Sequence, residues 1–164
     1  MNKKIFITGA LVVIVAIVFA CLPKSDSNQP NVNKQKGAVA DAAKAEKGIQ
    51  FMEESWTKAL AAAKKQNKMI FLDAYTSWCG PCKMLKRNTF PDPAAGEFFN
   101  TNFINVAIDM EKGEGPAVAE KFNVNAYPTL IFADSDGNLI TYTKGYIDAK
   151  QLLEFGKFGL SKRK

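Results

Sequence analysis

The sequence predicts an α/β fold, a central mixed β-sheet with helices on both faces. Three observations point to it. From Gly48 onward, short apolar runs of strand type alternate with stretches of helical periodicity, the order expected where helices connect strands of one sheet. The turn signal Asp134-Ser135-Asp136-Gly137 joins two of the strands as an antiparallel hairpin, which makes the sheet mixed. The chain beyond Gly48 is about 115 residues long, enough for a single core.

Lys3 and Lys4 precede an uncharged run from Ile5 to Leu22, interrupted only by Thr8 and Gly9, so residues 1–22 read as an export or anchoring segment outside the fold. Three fates suit it in a bacterial source. Val18 and Ala20 offer a cleavage site after Ala20, the run is long enough to stay as a membrane span, and Val18-Phe19-Ala20-Cys21 resembles a lipobox with Cys21 as the lipidated residue. A plainer role for Cys21 is a small apolar residue closing the run. Residues 23–47 read as a flexible linker: Pro23 to Lys36 has one aliphatic residue, Val32, and cannot bury enough surface to offset the entropy of ordering. Ala38 to Lys47 is Ala-rich and could form a frayed helix, without an apolar stripe to dock it. The globular domain is expected over residues 48–160.

Within it, Trp56, Leu60 and Ala63 recur at helical spacing between Glu53 and Gln66, with acids in the first turn and Lys64, Lys65 and Lys68 near the end, as the helix dipole favours. Met69 to Tyr75 is a strand that leads into Ser77-Trp78-Cys79-Gly80-Pro81-Cys82. A helical stretch follows to about Asn88, Pro91 and Pro93 break it, and Ala94 to Asn100 is a short helix. Phe103 to Ile108 reads as a buried strand, Pro116 to Phe122 as a helix opened by proline, Thr129 to Ala133 and Leu139 to Thr143 as the hairpin strands, and Asp148 to Phe155 as the last helix. Four or five strands result.

Composition narrows the chemistry. Histidine is absent, which removes Ser-His-Asp and Cys-His catalysis, His-ligated zinc and haem, and imidazole proton shuttling. The net charge is +6, and without the first 20 residues, which hold Lys3 and Lys4 and no acid, it is +4. Such an excess does not indicate a nucleic-acid partner.

Cys79 and Cys82 stand three apart where a strand becomes a helix, and on a helix such a spacing separates Cα atoms by about 5 Å, within the reach of a disulfide. Cys79 falls at the helix N-terminus, where unpaired N–H groups and the dipole hold a thiolate well below the free value of about 8.5. It is the candidate nucleophile. Pro81 suits the first turn, Gly80 leaves the first sulfur open to a bulky partner, and Cys82, one turn inside, is expected to be shielded and to act second.

Trp78-Cys79-Gly80-Pro81-Cys82 after an apolar strand resembles the active-site motif of the thioredoxin family, and the likeness runs over roughly residues 48 to 158. It implies the thioredoxin-like form of the α/β fold and thiol-disulfide exchange. It also implies that Asp73, six residues before Cys79, is the family's buried aspartate, accepting the Cys82 proton directly or through water when Cys82 attacks a mixed disulfide. A strand-end Asp, solvated or capping a turn, is the blander reading. Tyr127-Pro128-Thr129 precedes a strand where the family keeps a cis-proline, and Gly145 falls where it keeps a glycine, although a turn explains that residue nearly as well. By resemblance the substrate surface comprises Trp78, Gly80, Pro81, Tyr127, Pro128 and Gly145.

There are departures from the housekeeping thioredoxins. Lys83-Met84-Leu85-Lys86-Arg87 lacks their helix-kinking proline, and Asn88-Thr89-Phe90-Pro91-Asp92-Pro93 followed by a short helix resembles the C-terminal domain of the DsbD-type transmembrane reductases and their stand-alone relatives. Together with the export segment, this argues against reduction by cytosolic thioredoxin reductase; the chain is expected to be a periplasmic, membrane-tethered monomer that reduces disulfide-containing proteins and is itself re-reduced by a membrane thiol reductase. Gly-Pro between the cysteines, where dedicated oxidases and isomerases have Pro-His or Gly-His, favours the reducing direction. No cofactor beyond the Cys79–Cys82 pair is expected.

A Cys-x-x-Cys pair is also half of a zinc site, but Cys21 is the only other thiol. Asp109, Glu111 and Glu114 with Asp134 and Asp136 are acids of the kind that bind calcium, yet Asp134 to Gly137 falls far short of a 12-residue calcium loop, and solvated turns explain these acids. A copper(I) metallochaperone on this fold would lack the distant His such proteins use. A non-catalytic peptide-binding module, using the strand edge near Pro128, would have no need of the two cysteines.

Overall fold

The structure is a computed structural model that describes residues 48–52 and 55–163; the expected export segment, Cys21 and the linker lie outside the described residues. Helix α1 (Trp56–Gln66) starts later than the periodicity suggested, because Ser55 takes the N-cap in extended conformation and its hydroxyl accepts from the Lys58 N–H. No acid occupies its first turn. The negative charge that its N-terminus favours comes from elsewhere: Glu114 accepts from the Thr57 N–H at 3.0 Å, and that bond holds its carboxyl below the ordinary range.

Strands β1 (Met69–Tyr75), β2 (Phe103–Asp109), β3 (Thr129–Ala133) and β4 (Leu139–Lys144) form one sheet in the order β2-β1-β3-β4. β1 runs parallel to β2 and antiparallel to β3, and β4 is the antiparallel hairpin partner of β3. Asp134 builds the turn between them by accepting from the Asp136 and Asn138 N–H groups. Of the four or five strands expected, four form among the described residues; Met52 adds only a bridge to Val106.

Alternation along β1 divides the core. Ile70, Leu72 and Ala74 pack with α1 and with Val118 of α4 (Gly115–Phe122), together with Val106, Ile108 and Ile131. On the other face Met69 and Phe71 meet Phe99 of α3 (Pro93–Asn102) and Leu152 of α5 (Ala149–Ser161), around a cluster with Phe103 and Phe132. Phe71 lies 4.6 Å from the Phe99 ring and Phe103 4.7 Å from Phe132, between centroids.

Two other helices depart further from the sequence reading. The helix after Cys79 is α-helical only over α2 (Gly80–Met84); Leu85–Thr89 forms a π-turn, closed by the Phe90 N–H on the Leu85 carbonyl. α5 begins one residue later than expected, with Asp148 and Gln151 forming a capping box, and runs six residues past Phe155. Gly156 and Gly159 are where the helix presses on α3 and on the sheet. A Cβ at Gly156 would stand 2.8 Å from the Phe99 ring, and one at Gly159 would strike Phe132.

Candidate active site

β1 carries the chain to the site and stops at Tyr75; the Cys79 N–H then closes a turn on the Thr76 carbonyl. Cys79 is the N-cap of α2, with Gly80 and Pro81 in its first turn, and Cys79 and Cys82 are joined as a disulfide with Cα atoms 5.3 Å apart. The Cys79 sulfur accepts from the Cys82 N–H at 3.1 Å, one of the helix-end donors that would stabilise a thiolate after reduction. Gly80 adjoins open space. The expected contrast in access between the sulfurs is not present in this oxidised state: Cys79 is 3% exposed and Cys82 1%. Each sulfur is turned toward the other, so any contrast must arise on opening.

Parallel pairing of β1 with β2 puts both C-terminal ends side by side, and the Met110 N–H bonds the Tyr75 carbonyl. The loop after β2 therefore reaches Trp78. Its indole N–H donates to both carboxylate oxygens of Glu111, at 3.0 and 3.1 Å, and its ring meets Tyr127 edge to face at 6.0 Å. Trp78 is nonetheless 63% exposed, a flat apolar surface held in place beside the disulfide. Glu111 was missed as a site residue. The order of parallel strands was the available signal, since loops at their carboxyl ends converge.

The Tyr127–Pro128 bond is cis, and the Pro128 carbonyl accepts from the Gly145 N–H at 2.8 Å. Gly145 has φ +86°, a conformation that favours glycine and that a turn residue requires.

Asp73 lies mid-strand, fully buried, with neither carboxylate oxygen hydrogen-bonded to the protein, which is incompatible with a solvated strand end. Burial pushes its pKa up to about 7, against the opposing pull of the Lys86 ammonium. It borders a cavity of about 420 Å³ that Tyr75, Lys86, Phe51, Phe90 and Ala107 also line. Among the described residues no group of three or more Cys, Asp or Glu is placed to hold a metal ion, and no helix is long and apolar enough to cross a membrane.

A family model described as a thioredoxin-like domain matches residues 56–159. The chain belongs to the thioredoxin-like domain family. Within that fold it carries the Cys79–Cys82 pair as a disulfide. A Bacteroides thetaiotaomicron solution structure of a candidate disulphide-isomerase is 42% identical, with a TM-score of 0.63 over 72% of this chain and 98% of that one. The thiol:disulfide interchange protein DsbD of Yersinia pestis is 32% identical over 149 residues, 88% of this chain and 24% of the relative, so the thioredoxin-like chain spans about a quarter of that protein. The oxidised C-terminal domain of Neisseria meningitidis DsbD, 21% identical, shares the fold with a TM-score of 0.54 over 63% of this chain and 90% of that domain.

Proposed function

We propose that the protein reduces protein disulfides outside the cytoplasm while tethered to a membrane. The observation that carries this is the Cys79–Cys82 disulfide at a helix N-terminus with a buried, unpartnered carboxyl, Asp73, on the preceding strand. In the reduced enzyme the Cys79 thiolate attacks a substrate disulfide. One substrate sulfur leaves as a thiolate, and the other is bound to Cys79. Asp73 takes the Cys82 proton, the Cys82 sulfur bonds to Cys79, and the second substrate thiolate leaves with the electron pair of the broken S–S bond. Two electrons pass from the dithiol to the substrate. A membrane thiol reductase then returns the pair to its reduced state.

Trp78 and the strand edge at Pro128 serve as the platform for an extended substrate segment, with Gly80 and Gly145 leaving it room. Gly-Pro between the cysteines, in a chain without histidine, supports the reducing direction. The apolar run 5–22 and the likeness to DsbD support the location, with Cys21 as the lipidated anchor and residues 23–47 as the tether.

Cys82→Ser, expressed in cells, should accumulate mixed disulfides with exported proteins, while Cys79→Ser should form none and should lose alkylation at mildly acidic pH. Wild-type protein should reduce insulin. Adducts confined to cytosolic proteins would overturn the location, and adducts through Cys82 alone would reverse the two thiol roles.

A further inference from the structure

The stretch from Asn88 to Pro93, where the sequence departs from the housekeeping thioredoxins, takes no part in the proposed thiol chemistry, yet it holds a polar side chain shut off from solvent. Thr89 ends the π-turn that follows α2 and is fully buried. In a helix a threonine hydroxyl ordinarily bonds a carbonyl three or four residues earlier on its own segment. Here the Leu85 carbonyl is taken by the Phe90 N–H, and the Thr89 hydroxyl donates instead to the Ile147 carbonyl at 2.7 Å, 58 residues further along the chain. The bond leaves the helical segment altogether.

Its acceptor lies in the loop 145–148, between β4 and α5. The pairing of β3 with β4 ends at Thr129 and Lys144, so the sheet does not hold this loop. It is fastened at its start by the Gly145 N–H on the Pro128 carbonyl, at its end by the Asp148 N–H on the Gln151 side chain, and between them by Thr89. Ile147 packs on the aromatic cluster, while Tyr146 is 39% exposed.

We propose that Thr89 is a positioning residue for substrate binding: its hydroxyl ties the segment that carries Cys79 and Cys82 to the loop 145–148, and so fixes that loop beside Pro128. The inference rests on the proposed substrate platform at Trp78 and Pro128. A bound segment must lie along Pro128 and Gly145 while offering its sulfur to Cys79, and these groups stand on different elements. Pairing of Ala74 with Thr129 sets the spacing between the end of β1 and the start of β3. Beyond Lys144 the Thr89 bond takes over that task. A loop left loose would have to be ordered by the substrate, which lowers affinity without altering the exchange of sulfurs.

The test compares Thr89→Val, which keeps the shape and removes the donor, with Thr89→Ser, which keeps the donor and removes a methyl group; Thr89→Ala lacks both. The KM for a peptide disulfide, the rate at which the mixed disulfide is resolved, Tm and hydrogen exchange at the Gly145 amide are measured for each. Thr89→Val should raise KM roughly five- to tenfold and speed Gly145 exchange by a similar factor, with resolution unchanged. Thr89→Ser should lower Tm through lost packing yet keep KM within about twofold of wild type. If Thr89→Val does not fold, Ser and Ala make the same comparison, with the raised KM in Thr89→Ala.

A KM that follows Tm across the variants, or a Gly145 amide that exchanges at the wild-type rate without the hydroxyl, would overturn the role and leave Thr89 as a packing residue. Trp78→Ala isolates the reading on which the inference rests. If that variant leaves KM unchanged, the platform itself fails; if it raises KM while loss of the hydroxyl does not, only the role of Thr89 fails.

Discussion

Leu72 and Asp73 are neighbours on β1, both fully buried, and they face opposite sides of the sheet. Leu72 enters an aliphatic layer closed by α1, where its neighbours are apolar. Asp73 enters the face that packs Phe71 and Phe99, yet where that aromatic cluster ends its carboxyl meets a cavity and no hydrogen-bond donor. One side of the strand maximises burial. The other leaves a polar group unsatisfied, which costs stability and raises its pKa to about 7. The site is therefore the place where the rules of packing are relaxed on an otherwise completed sheet.

Truncation on the closed side should have the largest effect on stability. Leu72→Ala is expected to lower it by about 2–5 kcal/mol, the usual cost of deleting a buried leucine, and denaturant unfolding measures this. Exchange chemistry per folded molecule should stay near wild type. A loss of resolution rate in the folded fraction would mean that the two faces are not independent.

Asp73→Asn should act in the opposite direction on stability. A carboxyl raised to about 7 in the folded chain, against an ordinary value of 3.8, binds its proton more tightly folded than unfolded. Between those values the folded form holds the extra proton, so stability falls as pH rises from about 4 to 7 and the full penalty stands above that window. The shift corresponds to something on the order of 4 kcal/mol. Asp73→Asn should flatten this slope and raise Tm at pH 8, while slowing resolution by about 10- to 100-fold and leaving formation alone. Unchanged stability at pH 8 would remove the argument that Asp73 carries a cost for its role.

The closed face was the more legible one in the sequence. The strand runs and the hairpin turn follow from apolar runs and turn chemistry alone, which depend on local pattern. The end of α5 did not, because Gly156 and Gly159 signal a stop locally but serve a tertiary contact with Phe99 and Phe132. The π-turn at Leu85–Thr89 likewise has no proline or glycine to announce it. At the site, Cys79 and Cys82 declare themselves by spacing at a strand-to-helix junction. Trp78 and Asp73 needed the family resemblance, since a tryptophan can be plain core and an acid in an apolar strand has several readings. Lys86 and Glu111 were not singled out as site residues, because what brings each into place is contact with β1 or Trp78 rather than any periodicity.

The smallest expected effect belongs to Glu111, and it tests whether the exposed part of the site obeys the same contrast. Trp78 gains little from burial, so its orientation depends on the paired bonds to Glu111 and the edge contact with Tyr127. Hydrogen bonds to a charged acceptor are worth about 1.5–3 kcal/mol where they are shielded, and exposure here reduces that to about 1 kcal/mol. Glu111→Ala frees the indole without removing it. The KM for a peptide disulfide should then rise roughly fivefold, the equivalent of about 1 kcal/mol, with the resolution rate unchanged. Fluorescence anisotropy of the indole should fall at the same time. Because Glu111 is a charge as well as an anchor, Glu111→Gln separates the two: it keeps an acceptor for the indole and should recover most of the affinity for neutral peptides. A Glu111→Gln variant as impaired as Glu111→Ala on a neutral peptide would show that the carboxylate charge, not the orientation of Trp78, is what the site uses there.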